Sequence, residues 1–495
     1  MEIDILIIGS GMGGATLAAA LAPSGRRIVI LERGERLADI PQARDPVAIF
    51  RDGYFRPDET WLDGAGRAFN PGNYYLAGGN SKFYGGVLIR YREADFAPRR
   101  HPGGETSGWP IPYAEMEPWY QRAETFYRVR GALGDDPTEP PHSGSYGFPP
   151  VPHEPAIAEF ARRLRRIGLN PAPLPLGVDI DRWLARGQTP WDAFPDTTGG
   201  KMDAESVGLA EALRHPNVEL RTGVLVHSLI AGEGGRITGV RVRQNGGTAT
   251  LGARTVVLAA GAVNTAAILL RSADDRAPRG LANRSDQVGR NFMNHNASAV
   301  LALHPGRANP SVYQKTLYLN DYYDRGGPDD LPMGNVQLLG KVSGPILAAT
   351  SGLPGPVAGW IARRSVDLYA MSEDLPDPDS RVTVAGETIR LDWRRSNWAA
   401  HVALVRHLKS DLRRAGYPVV LAKTFDRRTP SHQCGTARMG LDPARSVVTP
   451  RGQSHDHPNL WIADASVLPT SAAVNPSLTV AAHALRVADR IGEQP

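Results

Sequence analysis

Few side chains in this 495-residue sequence pair a reactive group with a telling context. His432 opens H-Q-C-G-T-A-R-M-G (432–440), and an imidazole titrates near neutrality, so it can take a proton under working conditions. Taken alone it could equally be a structural histidine. Cys434 is no nucleophile for it, because residues two apart on an extended chain share a face without converging. His455-Asp456-His457 could start a metal site, but it precedes a strand with no fourth ligand in view, so no metal is expected. His295, closing V-G-R-N-F-M-N-H (288–295), reads better as a residue that positions a loop or touches a cofactor pocket than as a catalyst. Tyr313, Tyr318, Tyr322 and Tyr323 could stack on a sugar ring or simply pack in a core. Asn475 and Pro476 precede an amphipathic stretch as N-cap and first helical residue, and that helix start could stabilise negative charge on a bound group.

The elements that would position these groups begin at the first residues. Ile3 to Ile8 is an apolar run suited to a buried strand, Gly9-Ser10-Gly11-Met12-Gly13-Gly14 follows as G-x-G-x-x-G, and Ala15 to Leu21 favours helix. Arg27 to Leu31 is a second strand that ends at Glu32, 18 residues beyond Gly14. This is a complete βαβ dinucleotide fingerprint: Gly9 for the tight turn, Gly11 for close approach to a pyrophosphate, Gly14 for helix–strand packing, and Glu32 for ribose hydroxyls. A secretory leader is the rival reading. Leaders begin with positive charge, whereas this stretch begins Met1-Glu2-Ile3-Asp4 and carries a glycine run.

The length suits two or three domains, and 22% charged with 41% hydrophobic residues is a globular composition. No apolar run of about 18 residues is present, so no membrane span is expected. The net charge of +5 is dispersed among acids; Arg162-Arg163, Arg165-Arg166 and Arg427-Arg428 are local pairs, which argues against nucleic acid. One cysteine excludes an internal disulfide and a Cys-rich cluster, and a reducing cytoplasm is the expected location.

Residues 36–70 leave the nucleotide fold as a long excursion, and Asn73 to Arg90 carries two Gly pairs, as if pressed against something flat. Helices are expected over Ala114–Arg130, Glu154–Ile167 and Ala204–Leu213, and strands over Val218–Arg221, Val224–Ile230, Ile237–Arg243, Thr248–Leu251 and Thr255–Ala259. From about Ser298 to Val419 the strands Ala299–His304, Val336–Gly340, Arg381–Val384 and Thr388–Trp393 predict an inserted antiparallel sheet, closed by a helix over Trp398–Ala415. Leu460 to Ala463 is a last strand before Asp464, and Ser477 to Ile491 a last helix.

Taken together, G-S-G-M-G-G with Glu32, Gly78-Gly79-Asn80-Ser81 with Arg90, W-P-I-P-Y-A-E-M-E-P-W-Y, V-V-L-A-A-G-A-V-N-T, V-G-R-N-F-M-N-H, H-Q-C-G-T-A-R-M-G and the Asp464 to Asp489 tail resemble the glucose-methanol-choline (GMC) oxidoreductase family. The resemblance implies an α/β (α+β overall) fold: a discontinuous Rossmann-like FAD-binding domain (1–100, 196–297 and 425–495) and an antiparallel-sheet substrate domain (101–195 and 298–424). It implies that Gly9, Gly11, Met12, Gly14, Glu32, Arg33, Gly79, Asn80, Ser81, Val226, Ala260, Gly261, Asp464, Ala465, Asn475, Pro476 and Ser477 hold FAD. His432 matches the base that takes the alcohol proton while hydride passes to flavin N5. Asn475 matches the second catalytic position, where an amide can hold the substrate oxygen.

Phe83 stands where pyranose oxidases, the nearest subgroup by motif, carry a tethering histidine, so FAD is expected to be non-covalent. The cysteine cluster many dehydrogenase-type members carry before the G-G-K lysine, here Lys201, is missing. The implied substrate is a small-molecule alcohol: the secondary hydroxyl of a sugar or glycoside at C3 or C2, with Tyr313, Tyr318 and Gln433 as contacts. Oxygen or a quinone would then reoxidise the flavin. The alternatives are a sterol or simple-alcohol enzyme and an NAD-using nucleotide-binding protein.

Overall fold

The computed structural model describes residues 2–185, 189–426, 428 and 432–493. Met1, Arg427 and Ser431, each adjoining or within a stretch quoted above, lie outside the described residues.

The opening stretch folds as its apolar pattern predicts, with strand Ile3–Ile8, helix Met12–Leu21 and strand Ile28–Leu31. Ile3–Ile8 pairs in parallel with Ile28–Leu31 on one side and with Ala253–Leu258 on the other. Val218–Arg221 and Leu460–Ile462 complete a five-stranded parallel sheet. Parallel sheets are covered on both faces, which is why these strands read as unbroken apolar runs. Two glycines are demanded by contact: a Cβ on Gly9 (φ +102°) would lie 2.3 Å from the Ala259 carbonyl oxygen, and one on Gly14 would lie 2.0 Å from that of Gly9. The last helix, Ser477–Gly492, packs on Met12–Leu21 and on Tyr113–Phe126.

A second, six-stranded antiparallel sheet runs Val419–Thr424, Asn296–Leu303, Ser365–Ser372, Asn335–Leu338, Leu317–Leu319 and Ala172–Pro173. Strand periodicity sends Val300, Leu319, Val336 and Leu368 to one face. There they meet Phe160 and Leu164 of helix Pro155–Arg166 and Leu404 and Leu408 of helix Trp398–Arg414. Gln337, Tyr369 and Met371 fall on the opposite face.

The four strands expected in one inserted sheet divide between two. Arg381–Ala385 and Thr388–Asp392 form a hairpin that joins Trp61–Asp63 and Ala68–Phe69 in a separate four-stranded sheet. The Val382 N–H donates to the Gly289 carbonyl, and Val382, Ile389 and Leu391 pack in the nucleotide-side core with Leu269 and Val288. The central strand Ser365–Ser372 is unexpected because it buries a carboxylate. Asp367 accepts from Ser365 Oγ (2.5 Å), Gln314 Nε2 (2.9 Å), the Val342 N–H (2.9 Å) and Lys341 Nζ (3.0 Å). Helices Gly344–Ser351 and Gly355–Ala362 are further elements beyond those the sequence pattern predicts. The helix expected to reach Arg130 stops at Phe126, and the 204–213 helix is wound as a π-turn over Ala204–Leu209 before one α-turn. No helix among the described residues is long and apolar enough to cross a membrane.

Arg90 ties helix Tyr113–Phe126 to the segment after the second glycine pair. Fully buried, it donates from Nε (2.8 Å) and Nη2 (2.7 Å) to the two oxygens of Glu124, and from Nη1 to Tyr113 Oη (3.0 Å) and Glu117 (3.0 Å). Removing one partner of a buried pair strands the other charge, at about 3–5 kcal/mol. Arg90→Met is therefore expected to lower the unfolding free energy by about that amount in denaturant titration, and a loss below about 1 kcal/mol, the worth of an exposed pair, would contradict the role.

Candidate active site

The H-x-x-G-T-x-R-M-G motif forms a strap between two other segments. Met293 and Cys434 exchange both backbone hydrogen bonds, each 3.0 Å, in an isolated antiparallel bridge. The N–H groups of Gly435, Ala437 and Met439 donate to the carbonyls of Ala465, Ser466 and Val467 (3.2, 2.8 and 2.9 Å). Gly435 (φ +90°) is required there, since a Cβ would sit 2.4 Å from the Asn291 carbonyl oxygen. Antiparallel register then fixes what lies two residues out from the bridge: residue 295 faces residue 432. The two imidazoles meet with 2.7 Å between their Nδ1 atoms. His432 holds a left-handed backbone (φ +69°), uncommon for a residue with a Cβ.

Asn475 completes the centre. Its Nδ2 lies 3.1 Å from His432 Nε2, and its Oδ1 accepts from Gln337 Nε2 at 2.9 Å. The expected cap is thus corrected: Pro476 occupies the N-cap position, helix Ser477–Gly492 starts without a side-chain cap, and the Asn475 amide is engaged by its two neighbours. Gln337 gave no signal in sequence. It reaches the site because strand Asn335–Leu338 turns alternate residues to this side, and its Oε1 is buried with no partner among the described residues.

Burial, then the neighbouring His295 and Lys315, hold His432 well below the usual histidine range, so it is a neutral base at pH 7. Burial pushes His295 down to about 4. Lys315 itself pairs with Asp192 at 2.8 Å. The loop leading to Asn475 is fastened from behind. Ala472 (φ +53°) donates its N–H to Glu373 Oε1 (3.2 Å), and Ser471 Oγ bonds Asp374 (3.1 and 2.9 Å).

The cradle fits a dinucleotide. Helix Met12–Leu21 has no side-chain cap at Gly11, leaving orphan N–H groups, and nothing lies within 4 Å of where a Gly11 Cβ would be. Glu32 accepts from the Ser10 N–H (3.1 Å), Ser10 Oγ (2.7 Å) and the Gly34 N–H (2.9 Å); a carboxylate offers about four lone-pair sites, so acceptor capacity remains for a ribose. Ser10 Oγ also takes the Gly78 N–H (3.1 Å), joining the two glycine segments, and Gly79 stands across from Gly11.

Arg33 stacks on Tyr75 (3.6 Å), Ser81 Oγ bridges Gly78 and Ala204, and Asn80 Oδ1 accepts from the Tyr74 N–H (2.9 Å). Val226 is buried in strand Leu225–Ala231, and Gly261 follows Ala260 at the end of Ala253–Leu258. Asp464 bonds the Gly261 N–H (2.9 Å), Thr265 Oγ1 (2.6 Å) and the Ser466 N–H (2.8 Å), so it sets the shape of this rim, to which Ala465 contributes the carbonyl under Gly435. Pro476 and Ser477 present a second uncapped helix start. Phe83 is buried and stacked on Tyr74 at 3.7 Å, with no atom to form a tether.

Other expectations resolve differently. Tyr318 is corrected as a substrate contact: its ring is buried and its hydroxyl donates to Asp136 (2.8 Å), because its turn of the strand faces the buried Arg92–Asp136 pair. Tyr313 stays half-buried and stacks on Trp191 (5.6 Å), and Gln433 is half-buried beside His432. His455 bonds Ser446, while His457 bonds the Gly235 carbonyl and the Ala282 N–H; no metal-holding group forms among the described residues. Burial keeps the Cys434 thiol protonated.

Comparison with known proteins identifies the family of the chain. Two GMC oxidoreductase family models match residues 166–297 and 376–484, and an NAD(P)-binding Rossmann-like domain model matches residues 7–76. The chain is 31% identical to 6'''-hydroxyparomomycin C oxidase of Streptomyces lividus, over 99% of this chain and 91% of that protein. It is 29% identical to paromamine 6'-oxidase of Streptomyces fradiae (99% and 91%), and 26% identical to the fructose dehydrogenase large subunit of Gluconobacter japonicus (99% and 98%). Among solved structures, pyridoxine 4-oxidase from Mesorbium loti superposes with a TM-score of 0.69 at 22% identity, covering 98% of each chain, and shares the fold.

The buried histidines make stability acid-sensitive. Burial pushes His101 and His295 down to about 4, and His401 and His483 to about 3. Between pH 6.5 and those values the unfolded chain binds protons that the folded chain refuses, so stability falls as pH falls, by about 2 kcal/mol per group at pH 5. Glu373 (pushed up to about 8) and Asp374 (to about 6), with smaller upward shifts at Glu32, Asp95, Asp203 and Asp464, all by burial, act in the opposite sense and offset part of this loss. The thermal midpoint is expected to drop between pH 7 and pH 5 in calorimetry; a rise over that window would mean the histidines protonate in place.

Proposed function

The chain belongs to the GMC oxidoreductase family, and from that premise we propose that it oxidises a hydroxyl of a sugar or glycoside to a carbonyl, with non-covalent FAD as cofactor. The observation that carries the reading is the 3.1 Å approach of Asn475 Nδ2 to a neutral His432 Nε2. Bound in the glycine-lined cradle, FAD supplies the hydride acceptor. His432 Nε2 takes the hydroxyl proton; the carbinol carbon gives up its hydride; the C–O bond becomes a carbonyl. Asn475 Nδ2 occupies the Nε2 lone pair in this structure, so a bound alcohol would take that place, giving its proton to Nε2 while the amide N–H turns to its oxygen. Held between a base and a donor, the alcohol ionises as it is oxidised.

The sugar assignment draws on the names of the relatives and on the half-buried Tyr313, which stacks on the buried Trp191 near the polar Lys315–Asp192 pair. C3 or C2 of a pyranose is the first choice of position, from the similarity to pyranose-oxidase-type motifs. The 6'-oxidase among the relatives favours a second reading, oxidation at a 6'-type position of an aminoglycoside. Oxygen or a quinone is the proposed final acceptor.

The test is anaerobic mixing of purified protein with glucosides, free sugars and aminoglycosides, followed by flavin absorbance. The preparation is expected to be yellow and to bleach with at least one sugar. A colourless protein would favour an NAD-using relative, and a yellow one bleached only by sterols or simple alcohols would overturn the sugar reading. His432→Ala is expected to keep FAD bound and to slow bleaching about 10²–10⁴-fold, the usual worth of general-base help; near-normal bleaching would remove His432 from the role.

A further inference from the structure

His295 is buried beside the base yet takes no part in the reaction as written. Its other ring nitrogen, Nε2, lies 3.1 Å from the Ser471 carbonyl oxygen, which also accepts from Tyr91 Oη (2.9 Å). A carbonyl oxygen only accepts, so His295 Nε2 carries the hydrogen. A neutral imidazole has one N–H, and His295 Nδ1 is therefore a lone pair. The atom facing it at 2.7 Å is His432 Nδ1, which must supply the hydrogen of that bond. The remaining nitrogen, His432 Nε2, is then bare. Asn475 agrees from the opposite side: Gln337 Nε2 donates to its Oδ1, which turns its N–H groups toward His432. The reverse tautomer of His432 would set two lone pairs against each other at Nδ1 and two N–H donors against each other at Nε2.

We infer that His295 is a positioning residue: through the Ser471 carbonyl it fixes His432 in the Nδ1–H tautomer, so that Nε2 carries the lone pair that takes the substrate proton once the alcohol replaces the Asn475 amide there. It stands where a carboxylate stands in a hydrolase triad. As His432 gains a proton at Nε2, its Nδ1–H continues to donate to His295, so the imidazolium is held without any group moving. The chain of constraint ends at a backbone oxygen that cannot take a proton, so His295 orients the base and passes nothing on. The inference uses the proposed function only for what Nε2 does; the tautomer is a property of the protein itself.

The experiment has two arms. In histidine-15N-labelled holoenzyme, with the His432 signals assigned by their loss in His432→Asn, the hydrogen is expected on Nδ1 and the pyridine-like shift on Nε2. A hydrogen found on Nε2 would overturn the inference whatever the substrate. In flavin reduction by the sugar that bleaches wild type best, His295→Leu is expected to slow reduction about 10- to 100-fold, the range for groups that orient a functional histidine, at little change in the half-saturating sugar concentration. His295→Gln, which can accept from His432 and donate to Ser471, is expected to recover most of the rate. A yellow Leu variant at wild-type rate, or Leu and Gln variants slowed equally, would reject the positioning role. Failure of wild type to bleach with any sugar would strike the substrate reading alone, and the tautomer measurement would still decide this one.

Discussion

Gly13 sits so close to the Ala463 carbonyl that a Cβ there would lie 1.7 Å from its oxygen. That contact joins the first helix to the end of the last strand, and most of the molecule is arranged by it. It allows Leu460–Ile462 to add to the edge of a sheet begun by the first residues. The chain leaving that strand then has to cross the carboxyl ends of the sheet, where the helix Met12–Leu21 also starts. Asp464 grips Gly261 and Thr265 at that point, and the loop through Ser471 runs on to Asn475 under the inserted sheet. A fold that begins with a nucleotide loop thus delivers its chemical groups from the other end of the sequence to the same side. Open α/β sheets place ligands there because that is where helix starts and loops converge.

The second sheet contributes a rigid, half-polar wall. Its helix-covered face is apolar, and its other face presents Gln337 and Tyr369 at the His432–Asn475 pair; the Tyr369 ring centroid is 6.4 Å from that of His432. Burial under this wall keeps both histidines neutral. A solvated imidazole would be partly protonated in mild acid and useless as a base there. Desolvation disfavours the cation, so the enclosure that keeps water out also keeps the His432 imidazole neutral. The same desolvation makes the protein dependent on pH for its stability.

How much of this was legible in the sequence follows from the range of each constraint. The βαβ unit was legible because a strand, a glycine turn and a helix are local, and Gly9 and Gly14 answer to contacts within the unit or its neighbour strand. The strap at 432–440 was recognised as a motif, but its partner was not. That His295 meets His432 depends on a two-residue bridge between Met293 and Cys434, and register between segments about 140 positions apart leaves no periodic trace. Gln337 was silent for the same reason: one polar residue in a short strand looks like a surface position until the sheet is placed. Strand Ser365–Ser372 was missed because Asp367 broke its apolar run, and only the structure shows Lys341, Gln314 and Ser365 gathered around that carboxylate. The hairpin at 381–392 was read as strands but assigned to the wrong sheet, since its pairing with Trp61–Asp63 is set by packing on Leu269 and Val288.

Several departures from local rules meet at the site. His432 and Ala472 both occupy the left-handed region without being glycine, at roughly 1–2 kcal/mol each. Asn475 precedes a helix and does not cap it, and capping is worth about 1 kcal/mol. Gln337 keeps a buried oxygen without a partner among the described residues, and two histidines share one hydrogen bond in place of solvent. Left-handed residues with a Cβ also occur elsewhere, as at Arg128, Ala193 and Ala282, and buried charges are paired at Arg90 and Asp367. Concentrated departures of this kind persist only where surrounding structure over-determines them. Here the Met293–Cys434 bridge, the Gly435 approach and the Glu373 grip on Ala472 do so. The left-handed turn at His432 is what aims its ring back between Asn475 and His295, and an unstrained extended residue would send it along the strap instead. The strain at His432 and Ala472 therefore sits beside the His295–His432–Asn475 contacts, and the Met293–Cys434 bridge and the Glu373 bond hold it in place.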